Sequence, residues 1–204
     1  MKKTILLIIT MVAFIGVNAQ INIGGSVGFS VSNSESTTDG TSVDGPTNTS
    51  ITLLPEVEYM LAENLSIGGQ IGFSFNKTKD DANDFESSLF MFEIAPYGRM
   101  YFPLGENIEL FGEGGIGFAR GTEKITIDGT SNDGNTYTDF SLGVAPGLRY
   151  AISEKLKLEL RAGYLGYMFS SINDNGDPET VQKYNDFGLN INLSTVAFGI
   201  KYSL

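Results

Sequence analysis

Leu65-Ser66-Ile67-Gly68-Gly69-Gln70-Ile71-Gly72-Phe73-Ser74-Phe75-Asn76 places apolar side chains on nearly every odd position and small or polar ones on the even positions. A period of two is the period of a β-strand, whose successive side chains point to opposite faces. One face of this segment therefore meets an apolar environment and the other a polar or crowded one. The same alternation recurs on both sides of it, over 20–33, 50–61, 87–102, 108–120, 137–150, 156–169 and 185–204. At 156–169 it groups Leu156, Leu158, Leu160, Ala162 and Tyr164 against Lys157, Glu159, Arg161 and Gly163. The last segment changes phase, from Phe187 and Leu189 to Phe198, Ile200, Tyr202 and Leu204, which predicts a β-bulge near Ser194-Thr195. Eight strands and no comparable helical period make the chain all-β.

The connections alternate in length. Leu61–Asn64, Pro103–Asn107 and Ala151–Lys155 are tight, whereas Ser34–Thr49, Lys77–Glu86, Gly121–Thr136 and Ser170–Tyr184 are longer and polar. An even strand number, segments of about ten residues and strictly alternating connections predict a single antiparallel up-and-down transmembrane β-barrel. The polar face carries Gly, Ser, Asn and a few charges, while the bulky residues share the other face. A narrow barrel interior demands small side chains, and a water-facing exterior would be rich in Lys and Glu. The bulky face is therefore expected to meet lipid. Its aromatics collect at two levels, Phe29, Phe75, Phe90, Phe118, Phe140 and Phe187 near the long connections and Tyr59, Phe102, Tyr150 and Tyr202 near the tight turns. Two such rings are expected at the two headgroup layers.

Composition narrows the chemistry. The 204 residues carry 24 acidic and 13 basic side chains, a net −11, with no His and no Cys. A His-based triad, a thiol nucleophile, a disulfide and a typical zinc site are excluded, and the acidic balance disfavours nucleic acid. Lys2 and Lys3, the apolar run Ile5–Val17 and the small residues up to Ala19 form a secretory leader. The expected organisation is a cleavable signal peptide over 1–19 and a barrel over 20–204.

These features resemble the small outer-membrane barrels typified by OmpX and the OmpA membrane domain, across essentially the whole chain after residue 20. The sharpest local likeness is the end, Phe198-Gly199-Ile200-Lys201-Tyr202-Ser203-Leu204. Gly199 and Tyr202 match that family's C-terminal assembly signal, with Leu204 in place of its terminal aromatic. The resemblance implies outer-membrane lipid, the barrel-assembly machinery and periplasmic chaperones as partners, with the tight turns facing the periplasm and the longer loops outside.

Charged residues on the inward parity are the candidate site: Glu56, Glu58, Glu93, Arg99, Glu109, Glu113, Arg149, Lys157, Glu159, Arg161 and Lys201. Buried charges must be paired, so a salt-bridged plug across a narrow lumen is expected. The acidic stretches Asp80–Asp84 and Asn173–Asp177 could offer hard oxygens to Ca²⁺, but their Asn, Asp and Gly are first the composition of turns, and no metal site or cofactor is assigned. The expected function is a non-catalytic, plugged barrel with a structural or surface-interaction role through its outer loops. A narrow pore or lateral path for small or apolar solutes is the alternative, and a soluble lipocalin-like periplasmic carrier a weaker one.

Overall fold

The computed structural model describes residues 20–38, 41–176, 178–190 and 197–204. The expected leader and the bulge at Ser194-Thr195 lie outside the described residues. Among the described residues ten strands form: β1 (Ile21–Thr38), β2 (Thr41–Ala62), β3 (Leu65–Asp80), β4 (Phe85–Pro103), β5 (Ile108–Ile127), β6 (Thr130–Ala151), β7 (Leu156–Arg161), β8 (Tyr164–Asn173), β9 (Val181–Asn190) and β10 (Ala197–Ser203). All pair antiparallel in one sheet, ordered β5-β4-β3-β2-β1-β10-β7-β6-β8-β9, and β5 also pairs β6. That last pairing closes the ring. β1 to β6 follow in chain order, β7 and β8 share the seventh position end to end, and β9 and β10 share the eighth. The eight expected positions are present, two of them split.

The split between β7 and β8 corrects the expected alternation. Gly147 of β6 stands opposite Arg161, and Val144 opposite Leu165, so three steps on β6 span four on its partner. One extra residue is a bulge, and it reverses which side chains face in. Gly163 accommodates it at φ 83, a conformation that L side chains avoid. Tyr164 consequently turns inward, its ring over Gly143 and Gly166, and Leu165 takes the outward position.

The long polar connections are also different from the loops expected. β1 and β2 stay paired as far as Thr38 opposite Thr41, across a register shift between Asn33 and Glu35, and β5 and β6 as far as Ile127 opposite Thr130, across one between Thr122 and Lys124. The strands continue as two-stranded extensions of the barrel, because backbone pairing needs no apolar side chains and Thr suits a pleated surface.

Polarity is inverted relative to a water-soluble domain. The largest fully buried side chains include Arg99, Arg149, Lys201 and Glu58, whereas Val27 and Phe29 are 74% and 71% exposed. Ile71, Ile94, Ile116, Leu142 and Ile200 are exposed as well. The bulky face of every strand points outward, which a barrel can sustain only in hydrocarbon. A soluble carrier requires the reverse arrangement, so the lipocalin-like alternative falls.

Candidate functional site in the lumen

Inward positions near the tight turns converge on one cluster. β2 supplies Glu56 and Glu58, β4 supplies Tyr97, Arg99 and Tyr101, and β5 supplies Phe111 and Glu113. Arg149 comes from β6, Glu159 and Arg161 from β7, and Lys201 from β10. β1 and β3 contribute Asn22 and Ser66, so all eight positions of the ring reach it. Sheet register makes the first pairs: Arg99 is directly opposite Glu113, and Arg149 directly opposite Glu159. Asn22 and Glu58 are also register partners, whereas Arg99 reaches Glu56 and Glu159, and Arg149 reaches Glu58, across the lumen.

Arg99 is the hub. Its Nε donates to Glu113 at 2.5 Å, Nη1 to Glu159 at 3.0 Å and Nη2 to Glu56 at 3.1 Å, while Glu58 lies 3.8 Å from Nη1. Arg149 donates through Nε to Glu159 at 2.9 Å and through Nη2 to Glu58 at 3.0 Å. Lys201 donates to Glu58 and stands 3.4 Å from Glu56 and 3.5 Å from Glu159. Arg161 donates to Glu56 at 2.6 Å. Glu58 also accepts from Ser66 at 2.5 Å and from Tyr101. Four acids (Glu56, Glu58, Glu113, Glu159) thus meet four bases (Arg99, Arg149, Arg161, Lys201). An isolated charge here would be prohibitively costly, and each is answered by several partners.

Aromatic rings fill what the charges leave. The Arg99 guanidinium lies 4.2 Å from the Tyr97 ring centre, and that of Arg149 lies 3.8 Å from the ring centre of Tyr101. Gly68 and Gly147 face Tyr97 and Phe111 so closely that a Cβ at either glycine would overlap the ring. Glycine opposite a large inward ring is how a lumen this narrow closes.

Two expected members stand apart. Lys157 makes no ion pair among the described residues, because its register partner is Lys201, which already engages the available carboxylates. Glu93 lies six residues along β4 from Arg99, roughly 20 Å at the strand rise. It belongs instead to a cavity of about 220 Å³ lined also by Asp139, Ser74 and Ser141. Glu109 reaches Arg149 only at 3.6 Å and is partly exposed. Composition alone did not single out Tyr97, Tyr101, Phe111 or Asp139; inward parity opposite a glycine is the signal for the first and third.

The ten aromatics expected at two levels all stand on the outward face. Phe29, Ile51, Phe75 and Phe90 form one cross-strand row, and Phe118 pairs with Phe140. Phe187 stands opposite Tyr167. Tyr59, Phe102, Tyr150 and Tyr202 lie towards the other end. Of the terminal residues, Gly199 is opposite Glu159, Tyr202 faces outward, and the Leu204 N–H donates to the Ile21 carbonyl at 2.9 Å.

The acidic connections use their carboxylates on themselves. Asp80 accepts from the Ala82 N–H at 3.1 Å and from Asn83 at 2.7 Å, capping a single turn at Asp81–Asn83. Asp174 accepts from Thr180 N–H at 2.8 Å and Gly176 N–H at 3.0 Å. The Thr180 contact first, then that of Gly176, holds its carboxyl below the usual aspartate range.

Comparison with known proteins gives one sequence match and several structural ones. The family model described as outer membrane protein beta-barrel domain matches residues 5–199. No curated protein matches the sequence. The outer membrane protein OprG from Pseudomonas aeruginosa is similar in structure at a TM-score of 0.53 and 14% identity, over 92% of this chain and 96% of that one. The translocator domain of the autotransporter NalP from Neisseria meningitidis gives 0.50 at 11% identity, over 100% and 74%. The attachment invasion locus protein Ail of Yersinia pestis gives 0.44 at 13% identity, over 91% and 98%.

Proposed function

The chain belongs to the outer membrane protein beta-barrel domain family and resides in the outer membrane, and from that premise we propose a non-catalytic barrel with a plugged lumen that works through its strand extensions. The observation that carries this reading is the four-way engagement of Arg99 with Glu56, Glu58, Glu113 and Glu159. A guanidinium on β4 that engages carboxylates of β2, β5 and β7 leaves no continuous water path at that level, and eight strands enclose little more than their own side chains. Every carboxylate of the cluster is neutralised by a base, which suits bracing and gives none of them the poise of a general acid or base.

In this reading the tight turns face the periplasm, the two aromatic levels sit at the headgroup layers, and the extensions of β1–β2, β3–β4, β5–β6 and β8–β9 stand outside. Gly199, Tyr202 and Leu204 serve the barrel-assembly machinery, so removing Tyr202–Leu204 leaves the protein bound to periplasmic chaperones and uninserted. The deciding measurement is conductance of the purified protein in planar bilayers. The wild type gives no stable steps, and a variant carrying both Arg99→Ala and Arg149→Ala gives openings. Stable, ion-selective steps from the wild type would refute the plug and establish the pore.

A further inference from the structure

Beyond the charged plug, on the side of the long extensions, the lumen holds a second space with a different charge balance. Glu93 of β4 and Asp139 of β6 stand in one row, with Ala119 of β5 between them. Two strand spacings put their backbones roughly 10 Å apart, and the small Ala119 leaves the gap between their side chains open. Both carboxylates line the cavity of about 220 Å³, and Ser141 lies beside them. Neither makes a hydrogen bond or an ion pair among the described residues, and no Lys or Arg lines the cavity. A second cavity, of about 150 Å³, shares Glu93, Gly117 and Ser141 with the first and runs down to Tyr97 and Glu113 at the edge of the plug.

The depth of this space gives the acids their meaning. Phe92 and Ile94, on either side of Glu93, point outward between the aromatic levels at Phe90 and Phe102, so Glu93 lies within the thickness of the membrane. Ionisable groups at that depth are costly, and they pair with one another or mark the path of a charged solute. In the plug every carboxylate meets a base, whereas six residues along β4 Glu93 meets none. Much of the remaining lining is apolar and adaptable: Leu54, Met91 and Met168, the last two being unbranched thioethers that repack around a ligand. A bare divalent ion would need six or more oxygens, and no group of three or more metal-ligating acids occurs among the described residues. Carboxylates at one level with flexible apolar side chains beside them select a cation that carries an apolar body.

We propose that this cavity binds a small organic ammonium ion, with its charged head between Glu93 and Asp139 and its apolar body against Met91 and Met168. The three N–H groups of a primary ammonium are answered by the two carboxylates and by the Ser141 hydroxyl, which accepts the third. Entry from the end that carries the extensions rests on the plugged reading of the lumen; the site itself does not.

Four methionines fall among the described residues, and they provide the readout. Met91 and Met168 line the cavity, Met100 faces outward, and Met60 lies towards the tight turns. Barrels labelled with ¹³C at the methionine methyls are titrated in micelles with hexylamine, and in parallel with hexanol, which has the same chain and no charge. In the wild type hexylamine shifts Met91 and Met168 saturably and leaves Met60 unmoved, while hexanol moves them weakly; Met100 reports partition into the micelle for both. Glu93→Gln weakens the hexylamine response about tenfold, as expected for loss of one charge-assisted partner, and adding Asp139→Asn abolishes it. Heat-dependent gel mobility shows that each variant is a folded barrel. Equal responses to hexylamine and hexanol in the wild type overturn the proposal, as does an unchanged response in the double variant or a shift confined to Met100. Stable conductance steps from a wild type that still shows the Met91 and Met168 shifts would remove the plug and keep the site.

Discussion

Arg99 on β4 and Glu159 on β7 join across the lumen at 3.0 Å, although 60 residues separate them in the chain. Glu159 divides its oxygens, Oε2 to Arg99 and Oε1 to Arg149, and thereby ties two guanidinium groups to one carboxylate. Removing either partner strands a charge that water cannot reach.

Arg99→Ala is expected to cost about 3–5 kcal/mol of folding free energy, the range for breaking one side of a buried pair. Urea titration of the protein in lipid vesicles, followed by gel mobility, measures it. Arg99→Met with Glu113→Gln should lose less than Arg99→Ala alone, because charge is then removed from both sides. A surface-like loss below about 1 kcal/mol for Arg99→Ala would show that the network carries little of the fold.

Gly147 gives way to the ring of Phe111, and no Cβ fits there without moving it. Gly147→Ala is expected to destabilise by about 1–3 kcal/mol through overpacking. Pairing it with Phe111→Leu should recover part of that loss in the same titration, because the smaller side chain vacates the contested space. Gly69→Ala, where a Cβ meets nothing within 4 Å, is the matched control with little expected effect.

Alternation alone places Arg99, Arg149, Glu56, Glu58 and Glu159 inside, because a strand has only two faces and the bulky residues have claimed one. Their partners are a different matter. Arg99 meets Glu113 through register, which adjacent segments constrain, but it meets Glu56 through barrel closure, which no local stretch encodes. The fate of Glu93 shows the same limit: its parity is correct, yet its height along β4 removes it from every base. Tyr164 is misplaced by parity because one extra residue at Ala162–Gly163 reverses the faces, and a lone Gly in a strand signals that event only weakly. The polar connections read as loops because their side chains lack the apolar alternation, whereas their backbones go on pairing regardless.

Asp174 titrates outside the membrane, and its lowered pKa fixes the sign of a pH effect. A carboxyl whose folded pKa is depressed contributes order above its ordinary value of 3.8 and loses it as pH falls through the lowered value. The Thr180 and Gly176 amides should therefore stay protected from hydrogen exchange at neutral and mildly acidic pH and lose protection only at strongly acid pH. Asp174→Asn should weaken that protection throughout and flatten the acid transition. Amide exchange followed by NMR in micelles reads both, and a transition centred above the usual aspartate range would contradict the assignment.

Ser141 and Leu142 are neighbours on β6 that face opposite solvents, Ser141 into the cavity beside Glu93 and Asp139, Leu142 outward. The same substitution should consequently give opposite costs one residue apart. Leu142→Arg places a cation on the lipid face well inside the aromatic levels, where about 2–4 kcal/mol is expected. Ser141→Arg enters a space with two carboxylates and no base among the described residues, so its charge is welcome and only its volume is resisted. Refolding yield and urea stability in vesicles should rank Leu142→Arg well below Ser141→Arg. The reverse order would mean that β6 presents its apolar face to the lumen, and the whole inside-out assignment of the barrel would have to be exchanged.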